Sequence, residues 1–582
     1  MSGFSDRLRK ALTHRWFPWF LAGIAGLVHL PGIGTGYLVD DHAHRFFAQG
    51  NTVPGGPRGP WELYRFADGG AGVRAAIDEG IHAWWTAPDL KLAFLRPITS
   101  LVRVAEERLF HENAALCHLV SVLFFVATAL AVWRLLAAWV GGAAGNLGAL
   151  LFALDDAHSM PVLWIAARHM LIGTLFVLLG LTPFLRARAR GSVSLASGAF
   201  FFLGLMSSES AVSGLAFFGA IALFFGPRTL ASRASALAPV AVATLAWLGC
   251  YVAFGYGAKG SAYYVDPLTT PVAFAEVAVL RAPTLALAQL FGVPAEISGM
   301  APAAAPVLAA LGFLLFGLFA WLSVRTLPDR SRTLSLLVAF VLALVPACGT
   351  NSDDRLLVLP GVAAFGLLAC WARYVANVRP SVVLRVATVA GLVVHVGFAL
   401  LLLPIRTLAS ASMLSGIVAR GSATLGPQAT EREIVVLSAP DGLLPSGMLL
   451  KRQLSGQPAV PMRVLCTSPK TPLTVRRVAA SVLELSSEGG TMRDPFVGAV
   501  RNTPFVTGDR VELRGLTVEV LAAEAGYPTS VRFTFAESID DGSRSFLAWE
   551  GHRFVPVELP PVGGSIELSA IDFPTELGFT GN

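Results

Sequence analysis

The chain has 582 residues, of which 54% are hydrophobic and only 14% are charged. Because soluble globular proteins carry about 25% charged residues, this composition excludes an ordinary soluble domain and indicates a membrane protein. The formal net charge of +6 does not indicate a nucleic-acid partner, since the Lys and Arg residues are spread among hydrophobic runs. The expected effect of this charge is attraction to membrane lipids with anionic headgroups.

The cysteines carry no metal or disulfide signal. They are scattered, without a CxxC or Cys/His spacing: Cys117, Cys250, Cys348, Cys370 and Cys466. The sequence therefore requires neither a zinc site nor any other cofactor, although its acidic loops leave room for a divalent cation. A composition rich in Ala, Gly and Arg, without Asn-x-Ser/Thr sites, favours a bacterial source.

Eleven hydrophobic segments are predicted as membrane helices, at about 20 residues per crossing. They are 17–37, 114–138, 143–157, 162–185, 193–207, 209–226, 236–255, 303–324, 333–349, 354–376 and 383–405. A further segment, 271–293, contains Glu276, Arg281 and several prolines and alanines. We predict a surface or re-entrant helix there instead of a crossing.

The charges between these helices predict their orientation. Basic residues precede the first helix and recur in every second short connection: Arg7, Arg9, Lys10, Arg15, Arg186, Arg188, Arg190, Arg228, Arg233, Arg325, Arg330, Arg332, Arg373 and Arg379. The intervening short connections carry acids: Asp155, Asp156, Glu209, Asp353 and Asp354. By the positive-inside rule, the N-terminus is expected in the cytoplasm and the C-terminus outside, in a bacterial inner membrane.

Two regions are predicted outside the membrane. The first loop, 38–112, belongs to a membrane domain of residues 1–405, and its Trp61, Trp84 and Trp85 are interpreted as anchors at the membrane interface. Residues 406–582 alternate apolar and polar residues between turn signals. The expected fold is therefore an α-helical polytopic membrane protein with a C-terminal β-rich extracytoplasmic domain.

Most of the side chains that could act in catalysis or bind phosphate lie on the predicted outer side. The carboxylates and histidines are Asp40, Asp41, His42, Asp156, His158 and Glu209, and the arginines are Arg96, Arg168 and Arg355. Singly, each charged residue at a helix end has an even chance of being only an interfacial anchor, and Asp41 or Asp354 can serve as a helix cap. Their shared side and mixed chemistry favour a site with carboxylates for base catalysis and arginines for phosphate.

An acidic pair directly after the first membrane helix resembles the hallmark of the GT-C glycosyltransferases. The sequence is most similar to the tetratricopeptide-containing transmembrane O-mannosyltransferases and their bacterial relatives, without the repeats. The resemblance covers roughly residues 16–380 and extends to Phe94-Leu-Arg-Pro-Ile-Thr-Ser-Leu101, His118-Leu-Val-Ser-Val-Leu123, 151–168 and Asp354-Arg-Leu-Leu-Val-Leu-Pro360. Two departures are Ser208 in place of the family's Lys, and Asp155-Asp156 in place of its His-Pro.

The resemblance implies transfer of a sugar from a polyprenyl-phosphate donor to an unidentified acceptor hydroxyl, by a single inverting displacement. It favours Asp40 as the general base and Asp41 as its orienting partner. Arg355, supported by Arg96 and Arg168, is expected to bind the donor phosphate. His158, Glu209, Asp156 and His42 are expected to position the acceptor. No metal is assigned.

Two alternatives stay open from the sequence. A transporter or flippase for a lipid-linked precursor would need charges at mid-membrane and broken helices in pseudo-symmetric halves, and neither pattern is evident. A non-catalytic scaffold for envelope assembly is favoured by Ser208, which replaces the family's lysine.

Overall fold

The computed structural model describes residues 9–378, 380–424, 432–457 and 462–576, so Arg7 and Arg379 of the orientation argument lie outside the described residues. The chain divides into two units, each built from three stretches of sequence. The membrane unit comprises Met1–Gly36, Phe94–Tyr256 and Val265–Ser410. The β-rich unit comprises Tyr37–Ala93, Gly257–Tyr264 and Ala411–Asn582. Most of the first loop thus belongs to the same unit as the C-terminal region.

Nine helical segments among the described residues are long and apolar enough to cross a membrane. They are Phe17–Gly34, Ala114–Trp139, Ile165–Arg190, Leu230–Ala253, Pro271–Phe291, Pro302–Thr326, Arg330–Ala347, Asp354–Val378 and Val382–Ser422. Three shorter apolar helices are Gly142–Leu154, Leu195–Leu205 and Glu209–Phe224. Each of the eleven predicted segments coincides with one of these helices. The protein is a multi-pass α-helical membrane protein.

The helix Ala305–Thr326 has one exposed apolar side and one side that packs closely against a neighbouring helix. Phe313 and Leu314 are 72% and 67% exposed, which suits contact with lipid tails and would be unfavourable in water. On its inner side, a Cβ built on Gly312 would lie 2.1 Å from the carbonyl oxygen of Pro283. Only glycine permits this backbone approach between neighbouring helices.

The helix Pro271–Phe291 returns to the connection near which it starts. Ahead of the helix, Val265 N–H donates to Gly349 O over 2.9 Å. After it, Ala295 N–H donates to Asp354 Oδ1 over 2.9 Å. Gly349 and Asp354 lie in the same short connection. Because the helix is itself long and apolar enough to cross a membrane, the surface or re-entrant placement stays a prediction.

The last membrane helix extends well beyond its predicted end. Val382–Leu392 continues through a π-helical segment, Val393–Phe398, into Ala399–Thr424. The predicted domain boundary at 405/406 therefore falls inside a helix. The sequence showed where the apolar span ends, but Ala, Leu, Met and Arg, which have good helix propensity, recur in 406–424 and the same backbone hydrogen bonding continues.

In the part of the chain that the structure describes, the β-rich unit contains three sheets. Its strands are β1 Arg65–Asp68, β2 Lys91–Ala93, β3 Gly257–Lys259, β4 Glu433–Ser438, β5 Met462–Val464, β6 Leu473–Ala479, β7 Val482–Ser486, β8 Arg510–Leu513, β9 Leu516–Glu524, β10 Tyr527–Phe535, β11 Arg544–Glu550, β12 Arg553–Pro556 and β13 Ser565–Leu568. The sheet orders are β1-β2-β3, β13-β6-β7-β10-β9-β8 and β12-β11-β4-β5. This confirms the predicted β-rich C-terminal domain.

The third sheet gives the C-terminal region a short α/β start. Strands β11, β4 and β5 are parallel, and the helix Leu444–Leu454 connects β4 with β5. Parallel neighbours need such a crossover connection. Alternation of buried and exposed residues along β6 places one face of the six-stranded sheet in a core that includes Val475, Leu485 and Phe533.

Trp84 and Trp85 belong to this core, so their interpretation as membrane anchors was wrong. They are 5% and 1% exposed. Trp84 donates its indole N–H to Leu465 O over 3.2 Å, and its ring lies 5.9 Å from that of Phe533. A Trp pair before a Pro in a loop looks the same in sequence whether it faces lipid or a distant β-sheet. Trp61, at 51% exposed, is at the surface.

Candidate functional site

Asp40 and Asp41 open the helix Asp40–Ala48 and differ in accessibility. Asp41 is fully buried, and its Oδ2 accepts the N–H of Leu38 over 2.9 Å. Asp40 is partly exposed. The preceding Val39 has a φ of 30°, a strained value for a β-branched residue. This turn fixes one carboxylate inside the protein and leaves its neighbour within reach of solvent.

His42, one residue further, is held neutral. Burial and the positive charges of Lys451 and Arg45 lower the pKa of His42 to about 4. Its ring lies 6.1 Å from that of Tyr37 in an edge-on arrangement. Lys451 belongs to the helix Leu444–Leu454, which packs against Asp40–Ala48. The C-terminal domain therefore contributes a side chain to the surroundings of the acidic pair.

In the membrane unit, three carboxylates converge on one guanidinium group, and we call Asp156, Glu296, Asp354 and Arg406 the Arg406 cluster. Arg406 Nη1 lies 2.8 Å from Asp156 Oδ2 and 2.7 Å from Asp354 Oδ2, and Nη2 lies 3.0 Å from Glu296 Oε1. Asp354 also accepts the N–H of Ala295. The cluster joins three connections that are far apart in sequence to the last membrane helix.

The carboxylates of this cluster outnumber its cation. Burial and the nearby Asp354 and Asp353 carboxylates raise the pKa of Glu296. Burial and Asp156 likewise raise the pKa of Asp155, whose Oδ2 accepts a hydrogen bond from Gln289 over 3.1 Å. Among the described residues, no three His, Cys, Asp or Glu side chains are arranged to hold a metal ion. In the Arg406 cluster, the guanidinium group supplies the positive charge.

Arg168 lies in a second, more deeply buried ion-pair group. It forms a two-pronged pair with Glu106, which also pairs with Arg103 over 2.5 Å. Arg168 is 1% exposed. A carboxylate thus already occupies the fork of donors that was expected to bind phosphate. Its donor-binding role stays a prediction, and this burial weighs against it.

Arg96, Glu209 and Arg355 are more accessible. Arg96 Nε pairs with Glu209 Oε2 over 2.6 Å, which brings together a predicted phosphate ligand and a predicted acceptor residue. Arg355 Nε lies 3.2 Å from Asp353 Oδ2, and its guanidinium carbon lies 5.0 Å from the centre of the Trp164 ring. Their side chains are 13–21% exposed. These pairs leave part of each charged group at the surface.

His158 is fully buried between aromatic rings. Its ring centre lies 4.3 Å from that of Phe152 and 5.5 Å from that of Phe125, and Nδ1 bonds to Phe152 O over 3.0 Å. Burial lowers the pKa of His158 to about 3, so it is neutral. The predicted acceptor role of His158 stays a prediction, and this packed environment favours a structural role.

Ser208, at the position where the resembled family has a lysine, fills its site without leaving a gap. Its hydroxyl group lies 2.7 Å from His169 Nδ1 and 2.7 Å from the Ser210 hydroxyl group, and Ser208 is fully buried. The position is therefore filled by a local network of small polar groups.

Sequence reasoning missed Arg406, Glu296 and Glu106. Arg406 follows the apolar run Ala399-Leu-Leu-Leu-Leu-Pro-Ile405 and was assigned to the domain after it. A charged residue at that edge of a membrane helix is itself a signal that a partner is present. Glu296 follows a helix that was excluded from the crossings, and Glu106 lies in an amphipathic loop helix, so neither was considered.

The comparisons with known proteins give little similarity. No protein-family model and no curated protein matches the chain. The crystal structure of ArnT from Cupriavidus metallidurans bound to undecaprenyl phosphate overlaps with a TM-score of 0.36 and 14% sequence identity, over 76% of this chain and 89% of that chain. A similarity of this size does not establish a function.

Proposed function

We propose that the protein is a membrane glycosyltransferase that moves a sugar from a polyprenyl-phosphate donor to an acceptor hydroxyl group on the extracytoplasmic face. The observation that carries the proposal is the unequal acidic pair after the first membrane helix. Asp41 is buried and bonded to the backbone, whereas Asp40 is partly exposed. A catalytic base has to be accessible to its substrate and has to be held in a fixed position. Asp40 is accessible, and Asp41 holds the position of the pair.

The reaction needs one proton transfer from the acceptor. Asp40 removes the proton of the acceptor hydroxyl group as its oxygen attacks the anomeric carbon. The bond from that carbon to the donor phosphate oxygen breaks, and the polyprenyl phosphate leaves with the electron pair. Because phosphate is a good leaving group, no second acid is required, and a single displacement inverts the anomeric carbon. Asp41 orients Asp40 through the helix turn they share.

The proposal assigns the donor phosphate to arginines. Arg355 and Arg96 are partly exposed, and a guanidinium group offers a permanent charge with several donors to phosphate oxygens. Arg168 is buried and paired with Glu106, so it is given no direct contact with the donor. Glu209, Asp156 and His42 are assigned to positioning. A flippase for a lipid-linked precursor has no observation in its favour.

The test is replacement of the pair, one residue at a time, in the full chain. Asp40→Asn should lower sugar transfer from a polyprenyl-phosphate donor by about 10²–10⁴-fold, because a positioned base contributes that much. Asp41→Asn should cause a smaller loss in kcat with little change in KM. Asp89→Asn is the matched control, since Asp89 is an exposed acid of the same loop. Transfer by Asp40→Asn at the wild-type rate would contradict the base assignment.

A non-catalytic scaffold is the second candidate, and Ser208 supports it. The hydroxyl network around Ser208 offers no cation where the related family has one. A scaffold would show no transfer in the wild-type protein with any donor, and no bound polyprenyl-phosphate lipid after purification. Detection of such a lipid by mass spectrometry would favour the enzyme.

A further inference from the structure

A pocket lies at the end of the membrane unit that the positive-inside pattern assigns to the cytoplasm. It has a volume of about 70 Å³, opens to the surface and lies between the ends of three helices. Its lining includes Leu327, Asp329, Arg332, Arg373, Tyr374 and Asn377. The helix Val358–Val378 connects this end with Arg355, and the 15 residues from Val358 to Arg373 correspond to about 22 Å of helix. The pocket is therefore separate from the residues assigned to sugar transfer.

Two arginines are fixed in the pocket wall by their backbone contacts. Arg332 Nε donates to Trp139 O over 2.6 Å, and Arg373 Nη1 donates to Val140 O over 3.2 Å. Both acceptors are carbonyl groups at the C-terminal end of the helix Ala114–Trp139. Each arginine keeps further N–H groups, and among the described residues no partner contacts Nη2 of either one. The two guanidinium groups are thus held in place with donors available.

The balance of charge around the pocket favours an anion. Residues 325–333 and 371–378 contain four arginines and a single acid, Asp329. Asp329 is already engaged, because its carboxylate accepts the N–H of Arg332 over 3.0 Å and lies 2.7 Å from Arg332 Nη1. Arg373 has no acidic partner among the described residues. The anion expected here is a phosphate group, which suits arginine donors.

The other lining residues indicate whether the phosphate group belongs to a lipid or to a free phosphate ion. Leu327, Cys370 and Val378 are apolar lining residues, and Val378 is 57% exposed. A free phosphate ion gains nothing from such neighbours, whereas the glycerol and upper acyl carbons of a lipid do. Basic pockets between membrane helices on the cytoplasmic side are suited to anionic headgroups.

We propose that this pocket binds the phosphate headgroup of an anionic phospholipid of the surrounding membrane, with Arg373 and Arg332 as its charged ligands and Tyr374 and Asn377 as neutral donors. The site is independent of the sugar-transfer proposal. Its occupant joins the ends of Pro302–Thr326, Arg330–Ala347 and Val358–Val378 at the membrane surface.

Native mass spectrometry of the purified full chain tests the proposal, with phosphatidylglycerol and phosphatidylcholine of identical acyl chains as probes. The wild-type protein should retain phosphatidylglycerol in preference to phosphatidylcholine. Arg373→Gln should weaken phosphatidylglycerol binding about fivefold, the effect of one arginine near an anionic lipid surface. Tyr374→Phe, which removes only a hydroxyl group, should weaken it about threefold.

The matched control is Arg330→Gln, which removes the same charge from an exposed position outside the pocket lining. It should leave binding within twofold of the wild type. The proposal is overturned if the wild type shows no preference for phosphatidylglycerol, or if Arg330→Gln reduces binding as much as Arg373→Gln. It is also overturned if millimolar inorganic phosphate displaces the lipid completely, because the occupant would then be free phosphate.

Discussion

The two ends of the membrane unit hold charge in opposite ways. In the Arg406 cluster, three carboxylates share one guanidinium group. Around the pocket at the other end, four arginines accompany one carboxylate. Acids in excess can be relieved by taking up a proton, since burial already raises the pKa of Glu296. Arginine does not release its proton, so an excess of arginines is relieved only by an anion from outside.

This difference separates charges that hold the fold from charges that bind something else. The carboxylates of the Arg406 cluster each have their partner within 3.0 Å, so removing that partner should act on stability. Among the described residues, Arg373 has no carboxylate partner and donates its hydrogen bond to a carbonyl oxygen, so removing it should act on binding. Three stability measurements test whether the two ends differ in this way.

The largest effect is expected at Arg406. Arg406→Gln leaves three partly buried carboxylates without their cation, and the loss of one partner of a buried pair lowers the free energy of unfolding by about 3–5 kcal/mol. Denaturant unfolding of the protein in detergent measures this. The double variant Arg406→Gln/Asp354→Asn, which removes an acid as well, should recover part of the loss. A change below about 1 kcal/mol in the single variant would show that the cluster does not support the fold.

A smaller effect on the free energy of unfolding is expected from Glu296, because the Arg406 cluster contains more carboxylates than cations. Because the folded-state pKa of Glu296 is raised above its ordinary value of 4.5, the folded state keeps a proton that the unfolded chain releases. The free energy of unfolding therefore falls as the pH rises from about 4.5 through the raised pKa. Glu296→Gln should remove this fall and increase stability at pH 8 by about 1–2 kcal/mol.

Melting temperatures between pH 5 and pH 9 measure the effect of Glu296. The matched control is Glu276→Gln, since Glu276 is an exposed acid on the neighbouring helix Pro271–Phe291, and it should keep the pH dependence of the wild type. If the Glu296→Gln protein has the same pH dependence as the control, the raised pKa of Glu296 does not cause the fall in stability with pH.

The smallest effect is expected at the arginine-rich end. Arg332→Gln loses one hydrogen bond to Trp139 O and its pair with Asp329, both partly exposed, and should lower the free energy of unfolding by about 1 kcal/mol. Arg330→Gln should change it by less than about 0.5 kcal/mol. Equal losses at Arg332 and Arg406 would mean that the two ends do not differ as described.

Helices and strands were predictable where one stretch of sequence determines them. All eleven apolar segments are helical, because each must satisfy its backbone groups internally in lipid. Within the alternating region 406–582, Gly515, at a φ of 77°, forms the turn of the hairpin between β8 and β9. The positive φ that only glycine adopts readily was the signal for that turn.

Ion-pair partners were much less predictable than the residues that bear charge. Asp156 and Asp354 were identified as outward-facing acids, yet their shared partner Arg406 lies 250 and 52 positions away. The spacing of residues along one helix or strand does not predict such a contact, because the contact depends on which helices pack together. The individual roles in sugar transfer stay predictions for the same reason.

The tryptophans in the core of the β-rich unit have a consequence for biosynthesis. Trp85, which directly follows Trp84, leaves the ribosome 348 residues before Glu433, the first residue of β4. At about 5–20 residues per second, these two large rings wait on the order of half a minute for the sheet that covers them. A shortened chain that starts after the last membrane helix would lack both rings and expose the apolar surface they cover. Chaperones that shield apolar segments are therefore expected to hold the first loop until synthesis ends.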